Sequence, residues 1–214
     1  MNQQDTAQTP KSGTQHKLLE AAFTLIREKG YTSTSVDELC AQAGVTKGAF
    51  FHHFKSKNDL AVAAAKHWSA VTGAFFETAS YHQHSDPLER VLGYLDFRKA
   101  ILKGEIAEFT CLVGTMVHEI YSTNPDIREA CEASISGHAA KVEADIAAAM
   151  KRYRIRATWT AESLALHTQA VLQGAFIMAK AKGGAAIAAA SIDHLHRYIE
   201  LLFHRTKRKA KGTS

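Results

Sequence analysis

The sequence predicts an all-α chain, and three observations carry that expectation. Apolar residues recur at three- and four-residue spacing through most segments that turn signals set off. No stretch sustains the alternation of a half-buried strand. Gly30, Gly44, Pro87, Pro125 and the pair Gly183-Gly184 fall between periodic segments rather than inside them. About nine helices are expected, three of them in an N-terminal part, two of these short, and the rest forming a larger helical part.

Taken in order, residues 1–13, MNQQDTAQTPKSG, are polar and aperiodic and read as a disordered arm. A first helix is expected over residues 14–29, where Leu18, Ala22, Leu25 and Ile26 recur at helical spacing before Gly30. Ser35-x-x-Glu38 is a capping box that opens a second helix. Ala43-Gly44-Val45 ends it, with Gly44 free to take the positive φ that a helix C-terminus often needs. Thr46 caps a short third helix, and Ser56-x-x-Asp59 opens a fourth over residues 57–76.

A polar break at residues 81–86 precedes helices over 87–103 and 108–122. The former carries Leu88, Val91, Leu92 and Leu95, the latter Leu112, Val113, Met116 and Ile120. Pro125 then starts a long helix reaching residue 153, since proline at a first helical position costs no intrahelical donor. The last two helices are placed over 160–181 and 185–204. This divides the chain into an arm (1–13), a first domain (14–60), a second domain (61–204) and a basic tail (205–214).

Charge is informative only where it is located. The chain has 214 residues, 46% of them hydrophobic, and a formal net charge of +5. The tail holds Arg205, Lys207, Arg208, Lys209 and Lys211 with no acid, and without it the basic and acidic counts are equal at 21. The tail reads as a solvated charge run. The local pattern says more: Lys47, Lys55 and Lys57 stand between Thr46 and Asn58 with no carboxylate among them. Three widely spaced cysteines, Cys40, Cys111 and Cys131, do not form a disulfide framework and read as reduced thiols. No apolar run approaches the length of a membrane span, so a soluble protein is expected.

Two short helices joined by a tight turn, the second basic and aromatic, are how a protein sets one helix into the major groove of DNA. At these residues the chain resembles the TetR/AcrR family of transcriptional regulators. The resemblance runs without a gap from about Leu18 to Leu60, through LLEAAFTLIREKGY, TSVDELCAQAGVTKG and FFHHFKSKNDL. One departure is that Phe51 stands where the family usually has a tyrosine whose hydroxyl commonly touches a phosphate.

The resemblance implies a bacterial, cytoplasmic, homodimeric DNA-binding regulator, with a repressor expected rather than an activator. Lys47, His52 and His53 would reach base edges or phosphates, while Gly48 and Ala49 would allow close approach to the duplex. Ser35, Thr46, Phe51, Lys55 and Lys57 complete the expected interface, with Lys57 and the start of the fourth helix holding phosphate. The last two helices, rich in alanine and glycine, would pair with those of a second chain, so that the operator is palindromic.

The resemblance also implies a small-molecule effector in the second domain. Candidate lining residues are Trp68, Phe75, Phe97, Phe109, Cys111, Met116, Tyr121, His167 and Phe176. An alternative is a thiol-based sensor acting through Cys111, as in one subgroup of the family; its near neighbours Glu105 and Glu108 weigh against a reactive thiolate. No cofactor and no metal are expected. His82-x-His84 and His194-x-His196 have a spacing that points the rings to different faces of a helix. An enzyme is not expected, for the chain has no nucleophile elbow, no glycine-rich phosphate loop and no HExxH.

Overall fold

A computed structural model describes residues 11–204 of the chain, and the helical expectation holds throughout them. Ten α-helices follow one another: α1 (Lys11–Lys29), α2 (Val36–Ala43), α3 (Lys47–His53), α4 (Lys57–Glu77), α5 (Pro87–Ala100), α6 (Ile106–Phe109), α7 (Leu112–Ile120), α8 (Pro125–Tyr153), α9 (Ala161–Lys182) and α10 (Ala186–Leu202). A short 3-10 helix, Ser80–Gln83, fills the polar break before α5. No strand occurs among the described residues.

Three expectations are corrected. α1 begins at Lys11, so the last part of the expected arm is helical; the rest of the arm and the basic tail lie outside the described residues. The single helix expected over 108–122 is two, α6 and α7, with Cys111 between them in extended backbone (φ −87°, ψ 124°) as the N-cap of α7. Its Sγ accepts the Gly114 amide at 3.4 Å. That break accounts for ten α-helices where about nine were expected.

The third correction concerns the division of the chain. One compact unit comprises the chain up to Gly73 together with Thr110–Ile135; the other comprises Ala74–Phe109 and the chain from Ser136 onward. The first unit is thus larger than residues 14–60. Its core brings Leu18, Ala22 and Ile26 of α1 onto Leu39 of α2, Phe50 of α3 and Leu60 and Ala64 of α4. Leu112, Met116 and Ile120 of α7 and Ile127 of α8 belong to the same core. Burying a Leu, Ile or Phe side chain contributes about 1.5–3 kcal/mol, so α7 is a structural member of this unit.

The second unit has a separate core. Leu88, Leu92 and Leu95 of α5 pack with Ile146 and Ala149 of α8, Leu164 and Leu172 of α9, and Ile192, Leu195 and Ile199 of α10. Ala175, Ala179 and Ala188 bring α9 and α10 into close approach, as their small side chains allow.

Candidate nucleic-acid interface

Local hydrogen bonding builds the helix-turn-helix. Ser35 Oγ accepts the Glu38 amide at 3.2 Å, and Glu38 accepts the Ser35 amide at 2.9 Å, so both halves of the capping box are formed. Glu38 also pairs with Lys29 of α1, and this bond, with those from Ser35, holds its carboxyl down to about 2. Gly44 closes α2 at φ +63°, a left-handed conformation that glycine takes without strain. Thr46 Oγ1 accepts the Ala49 amide at 3.1 Å and starts α3. Ser56 Oγ likewise accepts the Asp59 amide at 3.1 Å where α4 begins.

Two rings decide how α3 is presented. Phe50 is wholly buried and Phe54, just past the helix, is buried beside it, their centroids 5.8 Å apart. Anchored on that side, α3 turns its other face outward. Phe51 is 51% exposed, His52 is exposed and His53 is half-buried. Lys47, Gly48 and Lys55 are exposed too. Among the described residues a Cβ at Gly48 would meet nothing nearer than Thr46 Oγ1 at 3.8 Å, so no packing among them calls for glycine there. Lys47 pairs with Asp37 of α2 at 2.8 Å, which raises its pKa. Salt bridges this exposed are weak.

Lys57 is placed otherwise than expected. Its Nζ donates to the carbonyls of Thr34 at 2.9 Å and Tyr31 at 3.1 Å, with that of Thr32 at 3.5 Å, and it lies 4.3 Å from the centroid of the Tyr31 ring. Partial burial lowers its pKa. With its donors turned onto the α1–α2 connection, Lys57 anchors that connection.

Glu119, near the end of α7, escaped sequence reasoning. Its carboxylate accepts the amides of Tyr31 at 3.1 Å and Thr32 at 2.7 Å. Gly30 makes room for it: at φ +92° a Cβ there would lie 2.3 Å from Glu119 Oε1. Asn58 is a second tie, accepting from the Tyr31 hydroxyl and donating to Asn124 at 2.7 Å. The turn ahead of α2 is therefore held by residues from α4, from α7 and from the α7–α8 connection. Only Gly30 hinted at this, and a helix-ending glycine has many uses.

The expected ligand-lining residues are divided between the two units. Met116 is fully buried in the first unit's core, Trp68 packs edge-on against Phe23 at 5.2 Å, Tyr121 is 62% exposed and Cys111 is a helix cap. His167 is exposed on α9, beside Tyr198 at 5.6 Å. Phe75, Phe97, Phe109 and Phe176 do lie in the second unit. There Phe97 meets Phe75 at 5.3 Å and Phe76 at 5.4 Å, while Phe109 and Phe176 are 6.4 Å apart. The Arg98 guanidinium lies over the rings of Phe76 and Phe176, at 5.3 and 5.4 Å, with no carboxylate in ion-pair range among the described residues.

Close to these rings is a cavity of about 30 Å³, bounded by Phe76, Tyr81, Tyr94, His138 and Asp145 among others. Gln169 donates to the Tyr94 hydroxyl at 3.2 Å, and that hydroxyl lies 3.0 Å from His138 Nε2. Burial, with Arg98 and Lys141 adding to it, pushes the His138 pKa down to about 3, which favours the neutral imidazole; its tautomer decides which partner donates in the contact with Tyr94. The cavity is large enough for no more than a water molecule or two. Two of the three thiols are quiet: burial raises the pKa of Cys40, and that of Cys131 to about 12.

Comparison with known proteins agrees with this architecture. Residues 18–64 match the family described as bacterial regulatory proteins, tetR family, and residues 87–195 match the tetracyclin repressor-like C-terminal domain. The TetC protein of transposon Tn10 from Escherichia coli is 43% identical over 65 residues, 30% of this chain and 33% of that protein. The chain thus aligns with about a third of that relative's length. A TetR-family transcriptional regulator from Agrobacterium tumefaciens shares the fold at a TM-score of 0.78 and 23% identity, over 88% of this chain and 98% of that one. The TetR-family regulator CifR, as a cysteine mutant solved with 26-base-pair operator DNA, shares it at a TM-score of 0.71 and 18% identity, over 91% of this chain and 98% of that one. With the helix-turn-helix capped as described and the family's C-terminal domain matched over half the chain, this protein belongs to the TetR family of bacterial transcriptional regulators.

Proposed function

We infer that the chain acts as a homodimeric repressor, released from a palindromic operator by a small-molecule effector. The observation that carries this is the outward face of α3: Lys47, Gly48, Phe51 and His52 are exposed on a helix pinned from behind by Phe50. A helix that spends exposure on an aromatic ring and imidazoles is suited to base edges and thymine methyl groups. Ser35, Thr46 and Lys55 flank it as phosphate contacts, and Lys57 supports them from within.

Dimerisation is supported by the exposed apolar residues of the last two helices. Leu166, Ile177 and Met178 on α9 and Tyr198 and Leu201 on α10 are each more than 40% exposed. Exposed apolar groups in such number favour an interface, and a second copy of the same pair of helices matches them by symmetry. Single short reading helices cover few base pairs, so two are needed for tight binding.

The effector would enter the second unit by widening the cavity beside His138. An apolar body would suit the phenylalanines, and an anionic group would suit Arg98. α4 carries Asn58 at its start and Phe76 and Glu77 at its end, so a ligand that moves Phe76 strains the helix that follows the reading head. The effector releases DNA only to the extent that it prefers the low-affinity state.

The double variant Leu166→Glu, Leu201→Glu tests the dimer. Both positions are exposed, so the monomer should fold. Sedimentation should give single chains, and operator affinity should fall by roughly 100-fold or more as the linked second contact is lost. Dimers that persist with unchanged affinity would remove the last two helices as the interface.

A further inference from the structure

His16 and Glu20 stand one turn apart on α1, a spacing that puts both on one face. His67 of α4 meets them there, and one ligand atom from each of the three lies within 4.8 Å of the others. His67 Nε2 is 3.4 Å from Glu20 Oε1. That nitrogen is shielded from solvent, yet it has no hydrogen-bond partner among the described residues, because the approach to Glu20 lacks hydrogen-bond geometry. A solvent-shielded imidazole nitrogen 3.4 Å from a carboxylate oxygen, with no hydrogen bond formed, suits an ion that ligates both. The ring is already held in place: it stacks on Phe23 at 5.4 Å and 28°, and His16 meets it edge-on at 5.4 Å.

The geometry points to a binding site for a divalent transition-metal ion, of which zinc is the type, formed by His16, Glu20 and His67. Bonds of about 2.0–2.1 Å to a tetrahedral ion put ligand atoms roughly 3.3 Å from one another. The His67–Glu20 pair is at that separation, and the exposed His16 ring closes on it by side-chain rotation. Two imidazoles and one carboxylate leave a fourth position for water. Imidazole selects zinc, nickel, copper or cobalt, whereas magnesium and calcium prefer all-oxygen sites. A bound ion would cross-link α1 to α4 within the first unit. The inference does not depend on the proposed effector or dimer.

The test uses the full-length protein without a histidine tag, titrated with zinc, and with cobalt as a spectroscopic probe. One ion per chain is expected, with the visible ligand-field bands of a low-coordinate nitrogen–oxygen site and a melting temperature that rises with zinc concentration. His16→Gln and Glu20→Gln alter exposed side chains and should fold. Each should weaken binding by more than the 10- to 100-fold typical of losing a mere supporting group, and should abolish the thermal shift. His194→Gln, on α10, should change neither. Absence of a bound equivalent, or binding that survives His16→Gln and Glu20→Gln unchanged, would overturn the site and assign any bound metal to scattered surface histidines.

Discussion

At Lys57 the ammonium meets the carbonyls of Tyr31 and Thr34, and this determines what its removal does. Lys57→Met keeps the aliphatic stem but takes the donors from partly buried acceptors. It should destabilise the first unit by about 1–3 kcal/mol, as the loss of hydrogen bonds to a charged group does. DNA affinity measured well below the melting temperature should keep its dependence on salt. A salt slope flatter by about 1 per subunit would instead mean that Lys57 holds a phosphate. From the sequence this lysine looked like a phosphate ligand because a basic residue at a helix start usually faces solvent. What turns it inward is the Tyr31–Thr34 turn, far away along the chain. Glu119 was hidden for the same reason, its bond to Tyr31 joining residues 88 positions apart.

Among the elements, α3 separates fold from function at one position. A Cβ at Gly48 would make only an ordinary contact, with Thr46 Oγ1 at 3.8 Å. Gly48→Ala should therefore leave the protein as stable as before, or more stable by up to about 1 kcal/mol, since alanine favours the helix. Operator affinity should nonetheless fall, because the added methyl stands on the face proposed to meet DNA. Equal affinity in an anisotropy titration would mean that the duplex does not approach there.

The break ahead of α7 yields a second expectation at this scale. Serine is a better cap than cysteine, so Cys111→Ser should melt within about 0.5 kcal/mol of the wild type, while Cys111→Val should lose about 1 kcal/mol. Equal loss in both would mean that the thiol packs and does not cap. The caps of α2, α3 and α4 were legible because partner and cap lie three residues apart. The α6–α7 break was not, since apolar periodicity continues through Phe109, Leu112 and Met116, and cysteine is a rare cap.

Across the whole molecule, the two units were legible in outline and not in membership. Residues 110–135 follow the second unit's first helices in sequence, but Leu112, Met116 and Ile127 are buried in the first unit's core. Hydrophobic spacing shows that a face is buried without showing against what. The expected ligand wall dispersed for that reason: Met116 and Trp68 were chosen by residue type, and both pack in the first unit. The reading head remains the central claim, and selection from a random duplex library tests it most directly. The full-length wild type should enrich one two-fold symmetric sequence, and His52→Ala and His53→Ala should each relax particular positions of it by roughly 1–3 kcal/mol per base pair. A library that shows no enriched sequence, or one whose preferences are identical in the wild type and in both variants, would contradict the account.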